Sequence, residues 1–495
     1  MLTPTHDRAV EACLRDVFRD LAHGVHSASQ VHTIFTAVME KSLRVLCDEL
    51  LEWNASSILQ RVPPEILASC LQFLPLPERV RASHVSRHWR SVALAFPPLW
   101  GDIIVRSTTR SALALLDAVL PRSGLYPVDF AYFPKEPGAS GLLGEIASVL
   151  HDHMHHMRTI EWPGSSDYFC FSQPAPMLEI VRFNSDSSLD GSIPDTFLGA
   201  TAGRLRTLQM EYLGLPQERC PALSTVTRLR GTLPWKPAQT ADLRNLFDLF
   251  PNVKHLHLRD FHRRHKLPSS PAPSSLEFLV IEASGAGIDF SAVMDGWAHE
   301  RVRRIDIRAH TLRGDGFAAI MSQVQALDVT IEPSIVFKGS SDTGFTRTVQ
   351  FGIGGLSPSE FNAAIASHVQ ALHAAQSISL LKSLTLPLSI WARLIMLPIT
   401  FPALTEVTLR LPGHDDYGGR DFNFHELRVV LLQLPMLQSM VAEARADYTS
   451  IRDIIDDPIL KVCQGLMMLM LHAASDHGRR VNVILRCGSE EIHIL

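Results

Sequence analysis

Val62-Pro63-Pro64-Glu65-Ile66-Leu67, followed by Cys70-Leu71 and Phe73-Leu74, leads into Arg79-Val80-Arg81-Ala82-Ser83-His84-Val85-Ser86-Arg87-His88-Trp89-Arg90 and closes on Pro98-Leu99-Trp100. Proline costs nothing in a first helical turn, where the N–H groups have no intrahelical partner, and Glu65 favours the positive helix start. Apolar residues at 66, 67, 70, 71 and 74 keep the spacing of a buried helical face. Leu74-Pro75-Leu76-Pro77 stops that helix. A second amphipathic run turns Val80, Val85, Trp89, Val92 and Ala93 inward and Arg79, Arg81, Arg87 and Arg90 outward, and Pro97-Pro98 ends it. The spacing predicts a compact three-helix module, too small to be strongly stable alone.

These residues resemble the F-box, the motif by which substrate receptors dock onto the Skp-type adaptor of a cullin-RING ubiquitin ligase. The likeness runs from the hydrophobic–Pro pair Val62-Pro63 through Val85-x-Arg87-x-Trp89 to Leu99-Trp100. Val62 stands where the family usually has Leu, and Ser86 where it often has Cys. By resemblance, Pro63, Ile66, Leu67, Leu71 and Leu74 form the apolar surface gripped by the adaptor, with cullin reached through it. Val85, Trp89 and Trp100 hold the module together.

The chain has 495 residues, 46% hydrophobic and 20% charged, enough to bury a large core. A formal net charge of −5 predicts no general pull toward nucleic acid or acidic membranes. Seven scattered cysteines without a Cys-x-x-Cys pair imply reduced thiols and a cytoplasmic or nuclear location. Asp7, Arg8, Glu11, Arg15, Asp16 and Arg19 interrupt any signal-peptide core, and Val462 to Leu471, the greasiest stretch, is too short to span a membrane. Ahead of the module, helices are expected around 7–22 and 31–51, forming a helical arm over 1–52. Their apolar stripes allow packing on the module or on each other, or self-association.

After Trp100 the pattern becomes periodic. Apolar-x-x-apolar-x-apolar segments, the mark of a leucine-rich-repeat strand, begin at Met157, Leu178, Leu205, Val253, Leu276, Val302, Val324, Leu381, Leu404 and Leu437. Helix-like runs at Thr240 to Phe250 and Phe290 to Ala298 lie between them, and Pro251, Pro402 and Pro435 feed extended segments. The regular internal Asn or Cys ladder is missing. The expected fold class is therefore α/β: an F-box-like domain over 58–103, then a degenerate leucine-rich-repeat-like solenoid over 104–495. Trp100 to Val105 reads as its first strand, Ser111 to Leu120 as a helix and Arg122 to Phe130 as a turn into a second strand. The Leu-Pro-Arg-Ser-Gly turn at 120–124, before Pro127-Val-Asp129, is similar to fungal F-box proteins, especially those of mushroom-forming fungi.

Strands alternate faces, so a concave ligand face would present His255, His257, Arg259, Arg304, Asp306 and Arg308 as its basic part, unless these are simply solvated. No nucleophile elbow, zinc helix, phosphate loop or dinucleotide fingerprint occurs, which argues against catalysis and against a cofactor. His151, His153, His155 and His156 form the one cluster worth weighing for a metal; histidines favouring a helix C-terminus explain it better. The expected function is a non-catalytic substrate receptor of a Skp–cullin–F-box ligase, binding the adaptor through the module and a protein substrate through the repeats. The competing expectation is a protein-interaction scaffold with no ligase role.

Overall fold

The computed structural model describes residues 4–23, 27–56, 62–107, 109–133, 143–163, 171–184, 192–234, 241–285, 288–297, 299–310, 314–331, 334–352, 358–394, 399–411, 434–444, 481–487 and 490–493. It divides into two units, Met1–Trp100 and Gly101–Leu495.

The first unit is helical: α1 (Pro4–Ala22), α2 (Ala28–Ser56), α3 (Pro64–Gln72), α4 (Leu76–Ala82) and α5 (Arg87–Ala95), with a 3-10 turn at Pro97–Trp100. Prolines open α3 and α4, so Leu74-Pro75-Leu76-Pro77 both stops one helix and starts the next. The expected single run over 79–93 is two helices, broken at His84-Val85-Ser86. Ser86 takes up extended backbone and caps α5 by accepting the Trp89 N–H at 3.2 Å.

Arg79, expected to face outward, is 7% exposed. Its guanidinium donates to the Leu74 carbonyl at 2.6 Å, Leu99 at 2.7 Å and Gln72 at 3.1 Å. One cation thus satisfies carbonyls at the end of α3, in the α3–α4 link and in the closing turn, groups that helix geometry leaves without partners. Trp100 is fully buried, and its indole donates to the Ala93 carbonyl at 2.8 Å.

The second unit is a mixed α/β structure built on one large sheet. Its strands are β1 (Asp102–Val105), β2 (Val128–Tyr132), β3 (Met157–Pro163), β4 (Ile180–Asn184), β5 (Thr207–Met210), β6 (Arg228–Thr232), β7 (His255–Phe261), β8 (Phe278–Ala283) and β9 (Arg304–Ala309). These pair side by side, parallel, in chain order. β10 (Ala326–Ile331), β11 (Ser334–Ser340) and β12 (Thr346–Gly352) form an antiparallel meander, entered from its far edge, so that β12 lies against β9. From β10 the parallel run resumes through β13 (Ser383–Pro387), β14 (Glu406–Arg410), β15 (Ser439–Ala444) and β16 (Asn482–Cys487), and β17 (Glu490–His493) closes it antiparallel. β1 spans the expected 103/104 boundary, and the division between the two units falls after Trp100.

Register explains why the sheet holds. Ile160, Val181, Leu208, Leu229, Leu256, Leu279 and Ile305 align across seven successive strands, none more than 2% exposed. Leu327, Leu384, Val407, Met440 and Val483 repeat that row beyond the meander. Burying one such side chain stabilises by about 1.5–3 kcal/mol relative to leaving it in water.

Among the described residues, helices fill some of the returns: α6 (Arg110–Ser123), α7 (Leu143–His153), α8 (Leu246–Leu249), α9 (Phe290–Gly296), α10 (Gly314–Ile320), α11 (Pro358–Ala374) and α12 (Leu388–Leu394). The helix-like run at 240–250 shrinks to the single turn of α8, whereas Asp289 caps α9 by accepting the Ser291 and Ala292 N–H groups. Among the described residues no helix is long and apolar enough to cross a membrane.

Candidate functional site

Two surfaces stand out, one in each unit. On α3, Leu67, Ala68 and Leu71 point inward at 5%, 0% and 2% exposure. The other side of the helix presents Ile66, 55% exposed, beside exposed Pro63 and Cys70, and Phe73 at its C-cap is 90% exposed. Leu74 is half-buried. Prolines fix where α3 begins, and Arg79 holds its far end, so this apolar face is carried on a braced helix rather than a loose turn.

The second surface is the polar face of the sheet between β4 and β9. One register row runs Thr207, Arg228, His255, Phe278, Arg304; the next runs Arg182, Gln209, Arg230, His257, Val280, Asp306. All of these but Asp306 line an open groove of about 400 Å³ whose lining includes Arg182, Arg228, Arg230, Arg304, His255 and His257 and no carboxylate. The His255 ring stacks flat on Phe278, 4.4 Å between centroids. Burial, reinforced by Arg228, pushes His255 below its ordinary pKa. Burial does the same to His257, against the opposing pull of Glu282.

Next to this groove the charges are already spent. Glu282 accepts from His257 at 3.1 Å, Arg259 at 3.3 Å and Arg308 at 3.1 Å, and Arg308 also reaches Asp306 at 3.4 Å. Asp306 is 8% exposed. Arg182 pairs with Glu161. Arg228, Arg230 and Arg304, all exposed, have no carboxylate partner among the described residues.

Residues 59–100 match the family model described as F-box domain. The chain contains an F-box domain. No curated protein matches the chain.

Within the F-box domain the structure redistributes the residues expected to meet the adaptor. Pro63 and Ile66 are on the surface, but Leu67 and Leu71 are core: a nine-residue helix lying on α5 buries one stripe only, and 67, 68 and 71 occupy it. Val85, expected inside, is 65% exposed because it sits in the break before α5; Trp89 is half-buried, and Trp100 is core. Phe73 is the apolar surface residue that sequence reasoning missed. Its i, i+7 relation to Ile66 was the available signal.

On the sheet, His255, His257 and Arg304 line the groove, while Arg259, Asp306 and Arg308 belong to the neutralised network around Glu282. Asp306 is therefore corrected from a presented residue to a buried one. Arg182, Arg228 and Arg230 were missed. The histidine cluster lies at a helix C-terminus: α7 ends at His153, and a 3-10 turn brings the His153, His155 and His156 rings within 4.5–6.4 Å of one another. His156 is buried, with its pKa pushed down to about 4 by burial and by its two histidine neighbours.

Proposed function

We propose that this chain is a substrate-recruiting subunit of a Skp–cullin–F-box ubiquitin ligase, docking the adaptor through the outer side of α3 and holding a protein substrate on the polar face of the sheet. The observation that carries this reading is an F-box domain whose short helix keeps Pro63, Ile66 and Phe73 in water while its other side is packed. Solvated apolar side chains fixed on a braced element favour a partner that covers them. Such a subunit performs no chemistry itself; it raises the effective concentration of substrate near the transferred ubiquitin.

We read the in-register parallel strands as a degenerate leucine-rich-repeat-like solenoid, interrupted by the β10–β12 meander. The likeness at 120–129 supports a place among fungal F-box proteins, and cytoplasmic or nuclear residence follows from the ligase role. Capture of the full-length chain on immobilised Skp-type adaptor tests the reading. Wild type should be retained, and Ile66→Asp and Phe73→Asp should each weaken retention at least tenfold. Failure of wild type to bind would leave the scaffold reading in its place.

A further inference from the structure

The groove between β4 and β9 is an inversion of the chain's own charge. A protein of formal net charge −5 gathers four arginines and two histidines around about 400 Å³ of open space without one lining carboxylate. Two of these cations are matched, Arg182 by Glu161 and His257 by Glu282, which also serves Arg259 and Arg308. The groove's other three arginines, Arg228, Arg230 and Arg304, are exposed and without an acidic partner among the described residues. Arg228 and Arg230, two residues apart on one face of β6, repel one another, and an anionic ligand relieves that repulsion.

We infer that this groove binds an extended acidic peptide segment, with carboxylates spaced four residues apart seated on Arg228 and Arg304 and an apolar side chain between them on the His255–Phe278 stack. The inference deepens the substrate-receptor reading of the sheet face and rests on it. The spacing follows from the lattice of the sheet. Arg228 and Arg304 lie in one register row, three strands apart, which at roughly 4.8 Å per strand is about 14 Å; four residues of extended chain span about the same distance. Arg230, in the neighbouring row, adds a third donor beside the first carboxylate, and guanidinium forks match carboxylates bidentately. A nucleic acid strand fits less well. The cationic track is short and bounded by Glu161, Glu282 and Asp306, so a polyphosphate backbone continuing past the groove meets carboxylates, and one flat stack offers a platform for a single base.

The test uses the full-length chain and a fluorescein-labelled twelve-residue peptide with Glu at two positions four apart and Leu between them, read by anisotropy. Its Gln counterpart and a labelled oligothymidylate of twelve nucleotides are measured beside it. The Glu peptide should bind at least tenfold more tightly than the Gln peptide, and raising NaCl from 50 to 300 mM should weaken it at least fivefold. Arg228→Gln with Arg304→Gln should cost at least tenfold, whereas Arg263→Gln, on an exposed position outside the groove, should change affinity less than twofold. Equal binding of Glu and Gln peptides, no loss in the double variant, or preferential binding of the oligothymidylate at the same arginines would overturn the inference. Adaptor capture on the same preparations separates the two proposals. Capture without peptide binding removes the groove inference alone, and peptide binding without capture removes the ligase reading alone.

Discussion

The F-box domain and the sheet unit each set a solvent-facing surface on a packed core, with opposite chemistry. In the F-box domain the buried stripe is narrow, Leu67, Ala68 and Leu71, and the exposed side of the same helix carries a second apolar stripe, Pro63, Ile66 and Phe73, beside Glu65, Ser69 and Gln72. In the sheet the buried row is long and in register, and the exposed side is cationic. Successive residues of a helix point about 100° apart, so neighbours at the edge of a narrow buried stripe, such as 66 and 67, differ sharply in fate. A strand alternates by one residue, so every buried Leu in the array brings a solvent-facing neighbour at no cost in packing.

Each unit also uses one buried arginine where the regular pattern ends. Arg79 gathers carbonyls inside the F-box domain. Arg347, 3% exposed, sits opposite Ile305, where the apolar row would otherwise continue, and donates to the carbonyls of His299, Arg303 and Thr346. Burial lowers its pKa to about 10, so it stays charged at neutral pH.

The largest effect that sharpens the contrast is expected inside the F-box domain. Trp100→Ala, which empties a fully buried indole site, should cost about 3–5 kcal/mol in chemical denaturation. A loss below about 1 kcal/mol would mean the helical unit has no tight core. Arg79→Met should follow at about 1–3 kcal/mol, since three carbonyls lose their donor. Gly231→Val on β6 should cost about 1–3 kcal/mol, because a Cβ there meets the Leu213 side chain at 2.9–3.2 Å and forces the strand or the leucine to move.

Acid should act on the sheet unit. His156 and His265 are buried, each with a pKa of about 4 when folded against about 6.5 when unfolded. Burial is the leading cause in both. Between those values the unfolded chain binds more protons, so their contribution is complete above pH about 6.5 and is lost as the pH falls toward 4. Thermal unfolding of the sheet unit at pH 7.5, 5.5 and 4.5 should show a falling midpoint, and the fall should shrink in His156→Phe. The smallest expected change is Glu282→Gln, at most about 1 kcal/mol in the same melts, because its three cations remain partly solvated.

Periodicity carried the sheet into view from the sequence, and it also set the limit of what could be read. The segments starting at Val253, Leu276 and Val302 become β7, β8 and β9 because the third, fifth and seventh residues of the pattern form the solvent-facing rows. β6 escaped because Gly231 replaces the third apolar residue of Val226-x-x-Leu229-x-Gly231, and with β6 went Arg228 and Arg230, half of the groove's arginines. β11 and β12 escaped for another reason: they form a hairpin without the apolar-x-x-apolar-x-apolar spacing, Ile335-Val336-Phe337 in one strand and alternating Val349 and Phe351 in the other, around a turn whose Gly344 has φ +84. In the F-box domain the motif was legible as spacing, but the inward turn of Arg79 was not, since nothing local to an amphipathic helix marks an arginine that answers carbonyls from 5 to 20 residues away. The expected helices at 7–22 and 31–51 appear as α1 and α2; Leu14, Phe35 and Leu46 stay exposed on them.

The central claim is that the outer side of α3, not its buried stripe, is where the adaptor binds. Calorimetric titration of purified Skp-type adaptor into the full-length chain, comparing wild type with Ile66→Asp, decides it when paired with a denaturation curve for each. The account predicts at least a tenfold loss of affinity with stability changed by less than about 0.5 kcal/mol, as expected for an exposed position. Unchanged affinity in a stably folded Ile66→Asp chain would contradict it.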